Sequence, residues 1–455
     1  MTVSRRSLFA TAGALAIGGS AGSLWALLGR RPEGGANPEP AGGLSRAREP
    51  HASSAPTAPE PGEARLAPTD TWAQIRAHFE LDPELVHLAG ILIASHPRPV
   101  REAIADHRRA LDAAPAPYVS ENDGRLKARA RRAAAGYMGV RPDDLALTES
   151  TTMGTALVIT GLRIREDQEM LTARDDYYST HQSIEFQAER SGASFREVDL
   201  YSDIRAATRE ELVESLVGQI RPSTRLVTAT WVHSATGLRM PISDVADRIA
   251  EINERRADRD RVIFFVDGVH GLGVEDEDIA ALGCDFFTAG THKWMLGPRG
   301  TGVLWGHPRA QDAVRPTIPT FTGDVDWGSR MSPGGFKAFE HQWALAEAFE
   351  FHGNVGRRRV RDRIHELTRE LKVELDRMDH VTLQSPRDDE LTAGIVCFDV
   401  EGQSPAQTRD ALRRRHIVAS ETPYTPPRAR LTPGIHNTSE DVERALRAVR
   451  DLRRG

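Results

Sequence analysis

Cysteine is scarce: the 455 residues hold two, Cys284 and Cys397. Both sit in apolar strand-like runs and read as buried thiols rather than a disulfide, so they argue neither for nor against an oxidising compartment. A basic excess is missing too. The formal net charge is −6, with no basic stripe outside short helical faces, which excludes the clustered footprint of a nucleic-acid binder. No run promises a stable membrane span, because the weakly apolar stretch at residues 10–28 is rich in glycine and alanine and makes a poor spanning helix. Large apolar residues nearly vanish between residues 29 and 68, where Pro, Gly, Ala and Ser dominate. Such a segment cannot bury enough surface to order itself, and a disordered linker is expected over residues 30–70.

Before the linker, Ser4-Arg5-Arg6-Ser7-Leu8-Phe9 leads into the glycine-rich run. This pattern reads as a twin-arginine export signal over residues 1–29, without a clean Ala-x-Ala cleavage site, and predicts a periplasmic, cell-surface or secreted protein. The whole chain, 39% hydrophobic and 27% charged, has an ordinary soluble composition, and folded sequence is expected from about residue 71.

The folded part is organised around residues 284–306, CDFFTAGTHKWMLGPRGTGVLWG. Lys293 lies between an apolar β-type run and a glycine-rich turn that leads into a second strand. A lysine in apolar surroundings loses hydration of its charged form, so its pKa falls and its amine becomes a usable nucleophile or proton carrier. Upstream, residues 262–273 read VIFFVDGVHGLG, a buried parallel-type strand ending in Asp267, with His270 three residues on. The carboxyl end of such a strand is where open α/β sheets bind ligands.

Together these segments resemble the class V aminotransferase family of fold-type I pyridoxal phosphate (PLP) enzymes, and within it the isopenicillin N epimerase-like branch. That branch carries V-D-G-A-H followed by H-K-W and a G-T-G turn; here stand Val266-Asp267-Gly268-Val269-His270 and His292-Lys293-Trp294, then Gly300-Thr301-Gly302. The resemblance implies an α/β fold: a mainly parallel, seven-stranded-type sheet in a PLP-binding large domain over residues 71–335, and a smaller α+β C-terminal domain over 336–455. It implies PLP as cofactor, no metal, a small amino acid or amine as substrate, and a homodimer. Lys293 would form the Schiff base. Asp267 would pair with the pyridine nitrogen and keep it protonated, which makes the ring an electron sink.

By the same resemblance, Thr152 and Met153 hold the phosphate, at a polar turn that opens a helix after a strand. Tyr177 stacks on the ring, with Tyr178 as its alternative. Ser234 and His270 approach the phenolic oxygen, and His233 is a candidate substrate contact. Gly290 stands where many members have a phosphate-binding serine, with Thr291 or His292 as compensating groups. The frame Arg430-Leu-Thr-Pro-Gly-Ile-His-Asn437-Thr438 is similar to the family's carboxylate-binding motif. A guanidinium matches a carboxylate bidentately; Arg430 is the assignment and Arg428, one strand-face repeat away, the alternative. Ala89-Gly90 replaces the family's usual Asn-Asn at the pocket border. His87 and His96, in the same stretch, read as structural.

The fate of the electron pair left at the substrate's α-carbon separates transamination, epimerisation, β-elimination including C–S cleavage, and reaction with oxygen. The sequence does not choose among them. Persulfide chemistry is disfavoured, because residues 418–430 contain no cysteine where cysteine desulfurases of the family carry a reactive one. The competing reading from another class is an exported, non-catalytic PLP-fold binding protein. Such a module would need neither the lysine nor the carboxylate.

Overall fold

A computed structural model describes residues 69–321 and 325–454. The expected export signal, and all but the last two residues of the expected linker, lie outside the described residues.

The strand Ile263–Asp267 shows how the main sheet forms. Phe264 and Val266 join one apolar cluster while Ile263 and Phe265 join another. An uninterrupted apolar strand with a side-chain period of two is therefore buried on both faces. Seven strands assemble in the order Leu145–Thr148, Gly302–Gly306, Phe286–Gly290, Ile263–Asp267, Thr224–Thr230, Glu169–Ala173 and Ser194–Val198. Gly302–Gly306 runs antiparallel to both its neighbours, and the other pairings are parallel. The architecture is the expected mainly parallel α/β sheet. Among the described residues no helix is long and apolar enough to cross a membrane.

A second, antiparallel sheet orders Ser420–Glu421, Ala429–Leu431, Val396–Val400 and Val381–Leu383. Leu367 and Leu371 of the helix Arg357–Asp376, and Val442 and Leu446 of the helix Ser439–Arg450, share one core with Ala429 and Leu431. Alternation then turns Arg430 to the opposite face. The apolar alternation of residues 391–400 predicts a half-buried strand, but the strand is Val396–Val400 alone, because residues 391–395 are a buried connection whose Thr392 bridges Leu238. The sequence from Phe339 to Phe349 predicts the start of one long helical region; the structure has three helices there, broken at Ala344 and at Gly356, whose φ is 94°.

One close approach sets the height of the site. Gly154, in the first turn of the helix Thr151–Gly161, lies against the strand Phe286–Gly290, and a Cβ there would come within 1.9 Å of Thr288 Oγ1. Gly154→Ala is therefore expected to destabilise the protein by about 1–3 kcal/mol through overpacking, read as a lower denaturation midpoint. Adding Thr288→Ala should recover part of that loss.

Candidate active site

The parallel strands all end at one edge of the main sheet, and the residues following their carboxyl ends converge there. Thr148 is followed by Ser150 to Thr152, Ala173 by Tyr177, Thr230 by Ser234, and Gly290 by His292 and Lys293, while Asp267 is itself a strand's last residue. From the smaller sheet comes Arg430. These side chains line one cavity of about 280 Å³.

At its floor Ser150 caps the helix Thr151–Gly161 by accepting the Met153 N–H at 3.1 Å. The first N–H groups of a helix have no partner within it, so the open donors of this turn belong to Thr151 and Thr152, and both residues line the cavity. Met153 stands apart: its N–H is engaged by the cap and its side chain packs against the apolar cluster beneath. Thr151 Oγ1 accepts the Gly290 N–H at 2.8 Å, which ties the turn to the strand before the lysine. Thr291, by contrast, is fully buried and its hydroxyl pairs with Thr301.

Asp267 is 3% exposed and accepts one hydrogen bond, from the Val269 N–H at 3.0 Å. Burial pushes its carboxyl up to about 6, against the pull of that N–H and of the Lys293 ammonium. A carboxylate in such a place is stabilised by a cation brought against it. Lys293 is shifted the other way. Desolvation lowers its pKa to about 8, with Asp267 opposing and Arg430 assisting, so a substantial fraction of the amine is neutral near pH 8.

The Lys293 Nζ lies 3.5 Å from His270 Nε2. On the other side of that ring the Trp294 indole N–H donates to Nδ1 at 3.1 Å. An indole nitrogen only donates, so Nδ1 accepts and the proton of the neutral imidazole sits on Nε2, facing the lysine. Burial first, and the Lys293 charge second, hold the His270 pKa well below its usual value, so the ring stays neutral. His292 also lines the cavity, its pKa lowered by burial.

Tyr177 is held by its neighbour Asp176, whose carboxylate accepts from Thr172 Oγ1 at 2.8 Å, from the Thr230 N–H at 3.0 Å and from Thr230 Oγ1 at 2.6 Å. This clamps the turn to the adjacent strand and sets Tyr177 at the cavity wall. Tyr178, 53% exposed, opens the next helix and lies outside the lining. His233 is buried with Nδ1 3.3 Å from the Asp175 carbonyl and also lies outside it. His87 and His96 do not line the cavity either.

Arg430 is 2% exposed. Its guanidinium donates to Ser420 Oγ at 3.0 Å, the Ser234 carbonyl at 2.8 Å and the Glu421 carbonyl at 3.2 Å. All three acceptors are neutral, and among the described residues no carboxylate pairs with it. Arg428 is different: it forms an ion pair with Asp399 and lies outside the cavity lining. Tyr424, which the motifs did not indicate, joins the wall, and its hydroxyl lies 2.7 Å from Ser234 Oγ. It sits in a proline-rich loop without periodicity, so the sequence carried no signal for it.

The cavity thus offers open N–H donors at a helix start, a lysine with a lowered pKa, and a buried carboxylate and a buried guanidinium that form no ion pair among the described residues. The Aminotransferase class-V family profile matches residues 96–444, well over half of the chain. The chain belongs to the class V aminotransferase family. This class V protein is 28% identical over 400 residues to the isopenicillin N epimerase of Streptomyces clavuligerus, covering 83% of this chain and 97% of that protein. A second isopenicillin N epimerase, from Amycolatopsis lactamdurans, is 28% identical over 409 residues, covering 84% and 98%. Among solved structures, a cystine C–S lyase in complex with its product cysteine persulfide superposes with a TM-score of 0.75 at 21% identity, covering 81% of this chain and 98% of that one. PLP is the cofactor of this class V family, and the donor set fits it. Thr151 and Thr152 suit its phosphate, Asp267 its ring nitrogen and Lys293 its aldehyde.

Proposed function

We propose that the protein is a PLP-dependent enzyme that removes and returns the proton on the α-carbon of an amino acid, in the manner of the epimerases and aminotransferases. The observation that carries this reading is Arg430, a buried guanidinium in the lysine's cavity with neutral partners only. That is a seat for a substrate α-carboxylate.

The bound cofactor supplies an electron sink for the pair left when the α-proton departs. Around it, Thr151 and Thr152 bind phosphate and Asp267 holds a proton on the ring nitrogen. Arg430 fixes the carboxylate, so that the α-hydrogen is presented to Lys293. With its pKa near 8, the lysine can accept that proton and return it. His270, neutral and with its proton on Nε2, donates a hydrogen bond into the cavity without adding charge. Tyr177, at the cavity wall, would flank the cofactor ring.

The C–S lyase among the solved relatives keeps β-elimination as a second outcome at the same α-carbon. Transfer of sulfur through a protein thiol is not favoured: both cysteines are buried, and burial raises both thiols, Cys397 to about 12. We propose also, from Ser4-Arg5-Arg6 and the glycine-rich run after it, export by the twin-arginine route, and, from the family resemblance, assembly as a homodimer. Sedimentation of the purified protein and fractionation of cells expressing the full chain test those two points.

Arg430→Gln tests the carboxylate seat. In the unchanged protein an amino acid should perturb the cofactor spectrum at far lower concentration than the amine lacking its carboxyl group. The variant should lose roughly 10- to 100-fold of that preference, the worth of a charge-assisted hydrogen-bonded pair. An unchanged preference would reject Arg430 and return Arg428 to consideration.

A further inference from the structure

We infer that the site selects α-amino acids with an uncharged, apolar side chain over acidic and basic ones, a conclusion that rests on the amino-acid reading above. Its basis is the segment at residues 88–94, which is tied down at both ends of the cavity. At one end the Leu88 carbonyl accepts the Thr432 N–H at 2.8 Å and the Ile91 N–H reaches Thr432 Oγ1 at 3.4 Å. Thr432 is two residues beyond Arg430. At the other end the Ala94 N–H donates to the His292 carbonyl at 3.0 Å, one residue before Lys293. The segment therefore spans the distance between the carboxylate seat and the reacting amine, alongside which a substrate side chain has to pass.

The side chains this strap contributes to the cavity are Ile91, almost wholly buried, and Leu92, 54% exposed at the mouth. Pro423 and Tyr424 add apolar surface to the lining, and the Tyr424 hydroxyl is already engaged by Ser234. Every fixed charge in the lining has an assigned task. Asp267 faces the cofactor nitrogen, Lys293 is the reacting amine and Arg430 takes the α-carboxylate. His270 and His292 both have lowered pKa values and add no cation. Among the described lining residues none is left to pair with a second carboxylate or with a side-chain ammonium. A charged side chain would be desolvated there without compensation, while an aliphatic one would gain contact with Leu92, Pro423 and the Tyr424 ring.

The test is titration of the PLP-loaded protein with L-leucine, L-methionine, L-glutamate and L-lysine, followed by the change in cofactor absorption and by the shift in thermal denaturation midpoint. Leucine and methionine should bind at least about tenfold more tightly than glutamate or lysine, the scale on which a pocket separates side chains by contact and desolvation. Leu92→Arg should reverse the order of leucine and glutamate. Glutamate binding as tightly as leucine in the unchanged protein would overturn the inference and leave the amino-acid reading intact. So would a Leu92→Arg protein with an unaltered leucine-to-glutamate ratio and an altered oligomeric size, which would mark Leu92 as covered by another copy. PLP loading with no response to any amino acid would remove the amino-acid reading and this inference together.

Discussion

Lys293→Ala is expected to lower turnover of any amino acid by at least about a thousandfold, the range seen when a positioned acid–base group is lost. Lys293 is the only amine among the described residues lining the cavity, and its neighbour His270 is held neutral with Nδ1 already engaged by Trp294. No second amine lies among the described lining residues to take its place on the cofactor. The loaded protein should also lose its absorption in the region of roughly 410–430 nm that PLP shows when bound to an amine, and borohydride should no longer fix the cofactor to the chain. A variant that kept both the band and the label would place the reacting amine elsewhere. A band and label in the unchanged protein, with no turnover of any amino acid or amine, would instead favour the non-catalytic binding protein.

Asp267→Asn should have the second largest effect. The amide keeps the shape of the carboxylate and can still accept the Val269 N–H, but it cannot hold a proton on the cofactor's ring nitrogen. Turnover is expected to fall by about 10²–10⁴, with a smaller loss of PLP affinity.

The pH dependence of loading separates the charge from the shape. Capture of added PLP by the apoprotein needs Asp267 ionised and the Lys293 amine free, and with these groups near 6 and 8 both requirements are met as pH rises. The rate should climb in two steps whose midpoints belong to the pair, because the groups interact. In Asp267→Asn the lower step should vanish. The upper one should move to lower pH, since Asp267 is what raises the lysine. A single unshifted step in the variant would show that Asp267 does not govern the cavity's charge.

How far this site could be read from the sequence depended on what fixes each residue. Lys293 and Asp267 were legible because local grammar places them: an apolar strand delivers each to its carboxyl end, and a glycine turn follows the lysine. Arg430 was legible through its frame, and the choice over Arg428 required three dimensions, since Arg430 lines the cavity while Arg428 lies outside it and pairs with Asp399. Thr151 and Tyr424 were not legible. The part of Thr151 follows from which N–H the Ser150 cap engages, and that of Tyr424 from a contact 190 residues away in sequence. The same limit explains the connection at residues 391–395, where burial on all sides mimicked a strand while its hydrogen bonds went to the loop at Gly237 and Arg239.

The strap that joins Thr432 to His292 also fixes when the protein can acquire its cofactor during synthesis. The cavity wall begins at Ile91 and is completed only by Arg430, with the cofactor's contacts lying between. A nascent chain that has not reached residue 430 has Lys293 and Asp267 but no closed chamber around them. Closure of the chamber around the cofactor therefore belongs after translation and folding, and on the twin-arginine route proposed above the chain would travel folded.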